Sequence, residues 1–383
     1  MRNPNRPTKC QIDLDALSYN LHSSRRFTAS ECMAIVKADA YGHGARECSK
    51  RLESEGVRWF GVALPEEALE IREAGVKGRI LSLGGFWPGQ EDLILRESIT
   101  PAIFDTDSAL RLNTAAAARG IVCPVHIKVD TGMGRVGVPM EKVPAMAQAL
   151  SRMANLSVEG IMTHFAAADD PAQDDYTRLQ TARFDESLRI FSDHSIFPQI
   201  IDLANSPGAV AHADARRGFV RLGGILYGLG GDVLPPGIPV PDLRPVMTIT
   251  SVVGLIKQVV SGETLGYGRT FRTVRDSVIA TIPIGYADGL PRSLSNRGEV
   301  IIRSQKVPIV GRVSMDWIIV DVTDITGTQP GDEVVVVGQQ GGLNIRAEDI
   351  AGISDTISYE ITCSFGRSRI PRSFSSTEDD NSG

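Results

Sequence analysis

The chain has 383 residues, 42% hydrophobic and 22% charged, with 40 basic against 46 acidic side chains and a formal net charge of −6. That is the make-up of a globular protein long enough for a barrel of about 250 residues plus a smaller module, and it leaves no basic footprint for nucleic acid. The five cysteines (Cys10, Cys32, Cys48, Cys123, Cys363) are odd in number and lack metal-ligand spacing, and no apolar run is long enough to cross a membrane; the expectation is a cytoplasmic protein with no disulfide framework, no metal, no membrane partner and no nucleic-acid partner.

In chain order, residues 1–8 read as loosely ordered, and Asp15 is the predicted N-cap of the first helix. Eight short apolar runs follow, at 33–36, 59–63, 80–83, 100–104, 125–129, 157–163, 200–203 and 218–222. Helical stretches such as 65–74, 108–119, 143–153 and 176–191 lie between them. Strand-like runs alternating with helices predict an α/β fold, a (β/α)8 TIM-type barrel. A Gly/Pro-rich stretch at 230–241 marks a linker, and beyond it the helical alternation stops. Val-, Ile- and Thr-rich runs at 246–260, 277–284, 299–302, 307–312, 318–322 and 333–338, punctuated by turns, predict a C-terminal all-β domain. The expected division is a barrel over 1–240 and a β domain over 241–372, with residues up to about 12 pairing with the latter, and a disordered acidic tail over 373–383.

In a barrel the chemistry gathers where strands end at the C-terminal face. Here those ends carry Lys37, Lys128, His164, Asn205 with Ser206, and Arg221. A lysine buried at a strand end loses its proton more readily and becomes a nucleophile towards aldehydes; taken alone, it also fits a side chain that snorkels to solvent. Arg135 follows Lys128 in a glycine-rich loop and offers a planar fork for a carboxylate. Ser206, Gly223 and Gly224 follow the seventh and eighth runs, where barrels commonly bind phosphate: a hydroxyl can donate, and glycines let backbone N–H groups come close.

The segment Val36-Lys37-Ala38-Asp39-Ala40-Tyr41-Gly42-His43-Gly44 resembles the cofactor-lysine motif of the alanine racemase family. Further stretches resemble that family's motifs in the same order: 128–137, 205–208, 221–228, 266–270, 282–290, 310–316 and 358–360. The resemblance spans about residues 8–372. It implies a pyridoxal 5'-phosphate (PLP) enzyme, an isomerase that interconverts L- and D-alanine and supplies D-alanine for peptidoglycan. Lys37 would hold PLP. Tyr41, Asn205, Ser206, Gly223, Gly224 and Tyr359 would hold its phosphate. Arg221, oriented by His164, would face the ring nitrogen, and Arg135 would meet the cofactor's phenolic oxygen and the substrate carboxylate. Lys128 matches a lysine that is carbamylated in many members. Tyr267 matches a second catalytic base that reaches the other subunit's site, so the resemblance implies a homodimer with shared sites. Met315 and Asp316 would lie near the partner's substrate, and Tyr286 and Arg292 at the entrance. Trp317 and the 365–367 stretch depart from the familiar pattern on the expected entry side.

Other classes fit part of the same residues. A non-catalytic PLP-binding regulator shares the barrel and lysine but lacks the β domain and the partner tyrosine. A decarboxylase of this architecture carries an acid near the ring nitrogen, where this chain has Arg221. A racemase of serine or another amino acid differs only in pocket size.

Overall fold

The protein is described by a computed structural model over residues 6–377. The eight apolar runs form eight parallel strands: Glu31–Ile35, Trp59–Val62, Arg79–Ser82, Ile99–Ile103, Cys123–Asp130, Leu156–Met162, Ile200–Asp202 and Phe219–Leu222. The last of these pairs with the first, Val220 opposite Cys32. The remaining seam, between Ile200–Asp202 and Phe219–Leu222, is bridged by the Arg221 N–H donating to Ala204 O at 2.9 Å. The result is a nearly closed TIM-type barrel. Its strands are apolar on successive residues because helices cover one face and the packed interior the other; Ile99–Ile103 is buried throughout. The interior is tight enough that a Cβ on Gly160 would lie 2.5 Å from the His126 ring.

The first helix, Leu14–Thr28, is capped by Asp13 and not by Asp15. The chain is still extended at Asp13, whose Oδ1 accepts from the N–H groups of Asp15 and Ala16, both at 2.9 Å. Asp15 lies inside the first turn and pairs with Arg51 at 3.0 Å.

The second module is β-rich. Its main sheet runs in the order Gln305–Pro308, Glu299–Ile302, Glu333–Gln340, Met247–Val252, Lys9–Asp13, Arg372–Ser375. The N-terminal strand thus leaves the barrel and inserts between two C-terminal strands, antiparallel to one and parallel to the other. A three-stranded sheet, Leu255–Val259, Ser277–Ile282 and Ile318–Asp321, completes most of the rest. Two helices, Ala347–Ser354 and Ser358–Gly366, interrupt the all-β expectation and bring this module to the barrel mouth.

Both ends of the described segment are better fastened than the sequence suggests. Thr8 is fully buried and donates to Pro283 O, and Arg6 pairs with Asp288 at 2.6 Å. The expected disordered tail is corrected at its start: Ser373, Phe374 and Ser375 form a strand against Gln11, Ile12 and Asp13. Residues 1–5 and 378–383 lie outside the described residues.

Candidate active site

The C-terminal ends of the barrel strands enclose a cavity of about 540 Å³. Eleven sequence-predicted residues line it: Lys37, Tyr41, Lys128, Arg135, His164, Asn205, Ser206, Arg221, Gly223, Gly224 and Tyr359. Asp169, Asp232 and Ile357 line it too. Asp232 arrives on the Gly/Pro-rich linker and accepts from the Ser358 N–H at 2.6 Å and the Ser358 hydroxyl at 2.8 Å, tying the linker to the Tyr359 helix.

Lys37 heads a single left-handed turn. Ala38, Asp39, Ala40 and Tyr41 have φ of 53°, 56°, 55° and 54°, and none is glycine. L-residues in this conformation cost roughly 1–2 kcal/mol each, so surrounding contacts must hold it. Glu67 is one. Its Oε1 accepts from the Ala38 N–H at 2.7 Å, while its Oε2 accepts from Ala63 N at 2.6 Å and Leu64 N at 3.3 Å. His43 is another. Its Nδ1 donates to Ala40 O at 3.0 Å and Tyr41 O at 3.1 Å.

The cavity is rich in cations. Burial, and then Arg135, push the Lys37 amine below its ordinary pKa. Lys128 is pushed down to about 8 by burial, Arg221, Arg135 and Lys37. His164 falls well below its ordinary value through burial and the charge of Arg221, and is neutral at pH 7. Such a field favours an anion.

Arg221 is held from four directions. Its Nη1 forms an ion pair with Asp202, which is fully buried. Its Nη2 donates to Thr163 O at 2.9 Å and Leu203 O at 3.2 Å, and lies 3.2 Å from His164 Nδ1, which accepts. An arginine so fixed is a donor that cannot take a proton.

A cradle sits beside it. Ser206 Oγ accepts from the Gly223 N–H at 2.9 Å, and Asn205 Oδ1 caps the short Ser206–Ala211 helix through Gly208 N at 3.0 Å. The Tyr41 and Tyr359 rings meet edge to face, centroids 5.0 Å apart. A Cβ on Gly223 would lie 2.5 Å from the Tyr41 hydroxyl, and one on Gly224 2.2 Å from the Tyr359 ring. Two phenols and a serine hydroxyl, beside glycines that leave the backbone uncovered, make a donor set for a phosphate dianion. Together with an amine of lowered pKa, this set fits a phosphorylated aldehyde such as PLP.

Five predicted residues lie outside the cavity, all on the β-rich module. Tyr267 is 72% exposed, and Met315 and Tyr286 are also exposed. The Ala287 N–H donates to Met315 O at 3.0 Å, so Tyr286 and Met315 share one surface. Asp316 pairs with Arg369, and Arg292 borders a separate cleft with Tyr286. Trp317 is exposed beside Asp316. In the 365–367 stretch Phe365 is buried, and a Cβ on Gly366 would lie 2.2 Å from the Gly42 Cα, next to the Lys37 turn.

Sequence reading missed Asp202 and Glu67. Each left a signal: an acid inside an otherwise apolar strand run, and a glutamate at the third position of a helix, three residues after its N-cap Leu64.

Comparison with known proteins gives a consistent result. The model of the alanine racemase N-terminal domain matches residues 12–230, and that of the C-terminal domain matches 246–374. An alanine racemase of Symbiobacterium thermophilum is 42% identical over 369 residues, covering 96% of this chain and 97% of that protein. One of Geobacter sulfurreducens is 40% identical over 374 residues, covering 96% and 97%. Among solved structures, alanine racemase from D-cycloserine-producing Streptomyces lavendulae superposes with a TM-score of 0.90 at 32% identity, over the whole of both chains. Alanine racemase from Bartonella henselae with covalently bound pyridoxal phosphate gives 0.87 at 32% identity, covering 96% of this chain and 99% of that one.

Proposed function

This chain belongs to the alanine racemase family, and from that membership we propose that it is a PLP-dependent racemase working with two opposed acid/base groups, Lys37 and the Tyr267 of a partner subunit. The observation that carries the reading is the junction, in one cavity, of a half-buried amine of lowered pKa with a phosphate cradle and a fixed arginine.

PLP, when bound, supplies an aldehyde for covalent capture of amines and a ring that withdraws electrons from the substrate Cα. Lys37 would hold it, with its phosphate on Tyr41, Asn205, Ser206, Gly223, Gly224 and Tyr359. Arg221 would meet the ring nitrogen. As a permanent donor it leaves that nitrogen unprotonated and moderates the withdrawal, which favours return of a proton to Cα. Arg135 pairs with the substrate carboxylate. Lys128, if carbamylated, becomes an anion able to hold Arg135; its lowered pKa supplies the neutral amine that such a modification needs.

Racemisation requires a proton to leave Cα on one face and return on the other. Lys37 serves one face and the partner subunit's Tyr267 the other. The exposure of Tyr267, Tyr286 and Met315 in the single chain supports a homodimer in which these residues, with Arg292 and Asp316, complete the neighbour's site and entrance. A cytoplasmic enzyme supplying D-alanine for peptidoglycan is the role that follows.

The test is to supply the purified protein with PLP and L-alanine, follow D-alanine with a stereospecific assay, then reduce with borohydride and locate the cofactor by peptide mass. D-alanine formation with the label on Lys37 supports the reading; a label on another lysine, or none, overturns it.

A further inference from the structure

The left-handed turn after Lys37 is not held by the barrel alone. Arg372, on the last strand of the β-rich module, reaches across to it. Its Nη1 pairs with the Asp39 carboxylate and donates to Gly42 O at 3.1 Å. Asp39 spends its other oxygen on the turn's exit, accepting from the Ala45 N–H at 2.7 Å, where the next helix begins. Phe374, two residues along the same strand and so on the same face, packs where a Cβ on Gly44 would lie 2.8 Å from its ring. Gly44 itself has φ of +99°, so it closes the strained segment that Lys37 opens. From a third side, a Cβ on Gly42 would lie 2.2 Å from Thr362 O of the Ser358–Gly366 helix.

We propose that Arg372 is a positioning residue for Lys37: through Asp39 and Gly42 it locks the left-handed turn whose first residue places the amine in the cavity. Arginine suits the task because Nη1 carries two N–H groups fixed in the guanidinium plane, which serve the carboxylate and the carbonyl together, where a lysine brings one flexible point charge. The strand bearing Arg372 is paired to Lys9–Asp13, which leads directly into the first barrel helix. The two modules therefore set the lysine's position jointly, and the C-terminal strand is a structural requirement of the catalytic amine.

The proposal rests on the reading of Lys37 as the cofactor-holding lysine, so its test begins without cofactor. Amide hydrogen exchange is measured on cofactor-free wild type, Arg372→Ala, Arg372→Lys and Asp39→Asn. Asp39→Asn keeps the shape of the side chain and removes the pairing charge, and so serves if Arg372→Ala fails to fold. In the alanine and asparagine variants, exchange across 38–44 should rise about tenfold or more while the barrel strands keep their protection. With PLP restored, kcat should fall about 10–100-fold with little change in KM, as for a misplaced catalytic group, and Arg372→Lys should recover part of both effects. Unchanged exchange across 38–44 in both variants overturns the proposal, as does loosening that is uniform across the whole molecule. The borohydride label reports separately on whether Lys37 is the cofactor lysine.

Discussion

Asp202 is sealed behind Arg221 at the mouth of the barrel. It is fully buried, with one carboxylate oxygen on the guanidinium and the other without a hydrogen-bond partner among the described residues. This pairing alters how the cavity's charge is counted. Lys37, Lys128, Arg135 and Arg221 all line the site, and Asp202 offsets the most deeply set of them. Burial raises the Asp202 carboxyl while Arg221 pulls the other way.

Asp202→Asn preserves the side chain's shape and removes its charge. Deleting one partner of a buried pair strands the other, at a cost of about 3–5 kcal/mol. The variant should unfold at lower denaturant by that amount. Arg221, freed from its anchor, should also lose its fixed aim, and kcat/KM for L-alanine should fall about 10–100-fold, as when a group that must be held in place shifts by about an ångström. Denaturation curves and racemisation rates check both, and wild-type behaviour in both would show that the pair has no role in the site.

The cradle makes a steric prediction. A methyl group at position 224 would sit 2.2 Å from the Tyr359 ring, a distance no side chain tolerates. Gly224→Ala must therefore push the phenol out of the cradle, and PLP affinity should drop about tenfold or more with the loss of one good hydrogen bond to a charged phosphate. Gly352, inside the Ala347–Ser354 helix, is the control, because a Cβ added there would meet no atom within 4 Å. Alanine at that position should be neutral or stabilising by about 0.4–1 kcal/mol. Titration with PLP and thermal melting separate the two cases.

Much of this arrangement was legible because barrels write their chemistry at strand ends. Lys37, Lys128, His164, Asn205, Ser206 and Arg221 could be lined up from eight apolar runs without knowing the pairing. The left-handed turn was not legible. Nothing local in Ala38, Asp39, Ala40 and Tyr41 calls for positive φ; Arg372 and Glu67 impose it from about 330 and 30 residues away along the chain. Asp202 is a lone acid in the apolar 200–203 run, and only the closure of the barrel brings it to Arg221. The helices at Ala347–Ser354 and Ser358–Gly366 were masked by the β-rich runs before them. Tyr267, Tyr286 and Met315 show the opposite limit: motif resemblance picked them out, while the single chain leaves them on its surface.

Two buried histidines set an acid limit on stability. An exposed histidine titrates near pH 6.5. Burial pushes His126 down to about 3 and His43 down to about 4, and both ring nitrogens of His126 lack a hydrogen-bond partner among the described residues. Both are neutral in the fold, so between about pH 6.5 and their folded values the unfolded chain binds more protons. Stability is therefore fully present above about pH 6.5 and is lost as pH falls towards 4 and then 3. Melting temperature should decline steadily over that range. His126→Leu, which removes one of the two protons, should flatten the decline; an acid limb as steep as wild type would remove His126 from the explanation.

The central claim is that Lys37 and Tyr267 act as an opposed pair contributed by two chains. The most direct measurement is complementation. Lys37→Ala and Tyr267→Phe chains, each nearly inactive alone, are co-expressed or exchanged into mixed dimers. In a two-fold dimer with shared sites, the mixed species has one site with both residues intact and one with neither. Random pairing makes half the dimers mixed, so activity should recover to about one quarter of wild type. Recovery to that level supports a site built from two chains. Absence of recovery in dimers shown to be mixed would contradict it, and would place both bases within one subunit or remove one of them from the reaction.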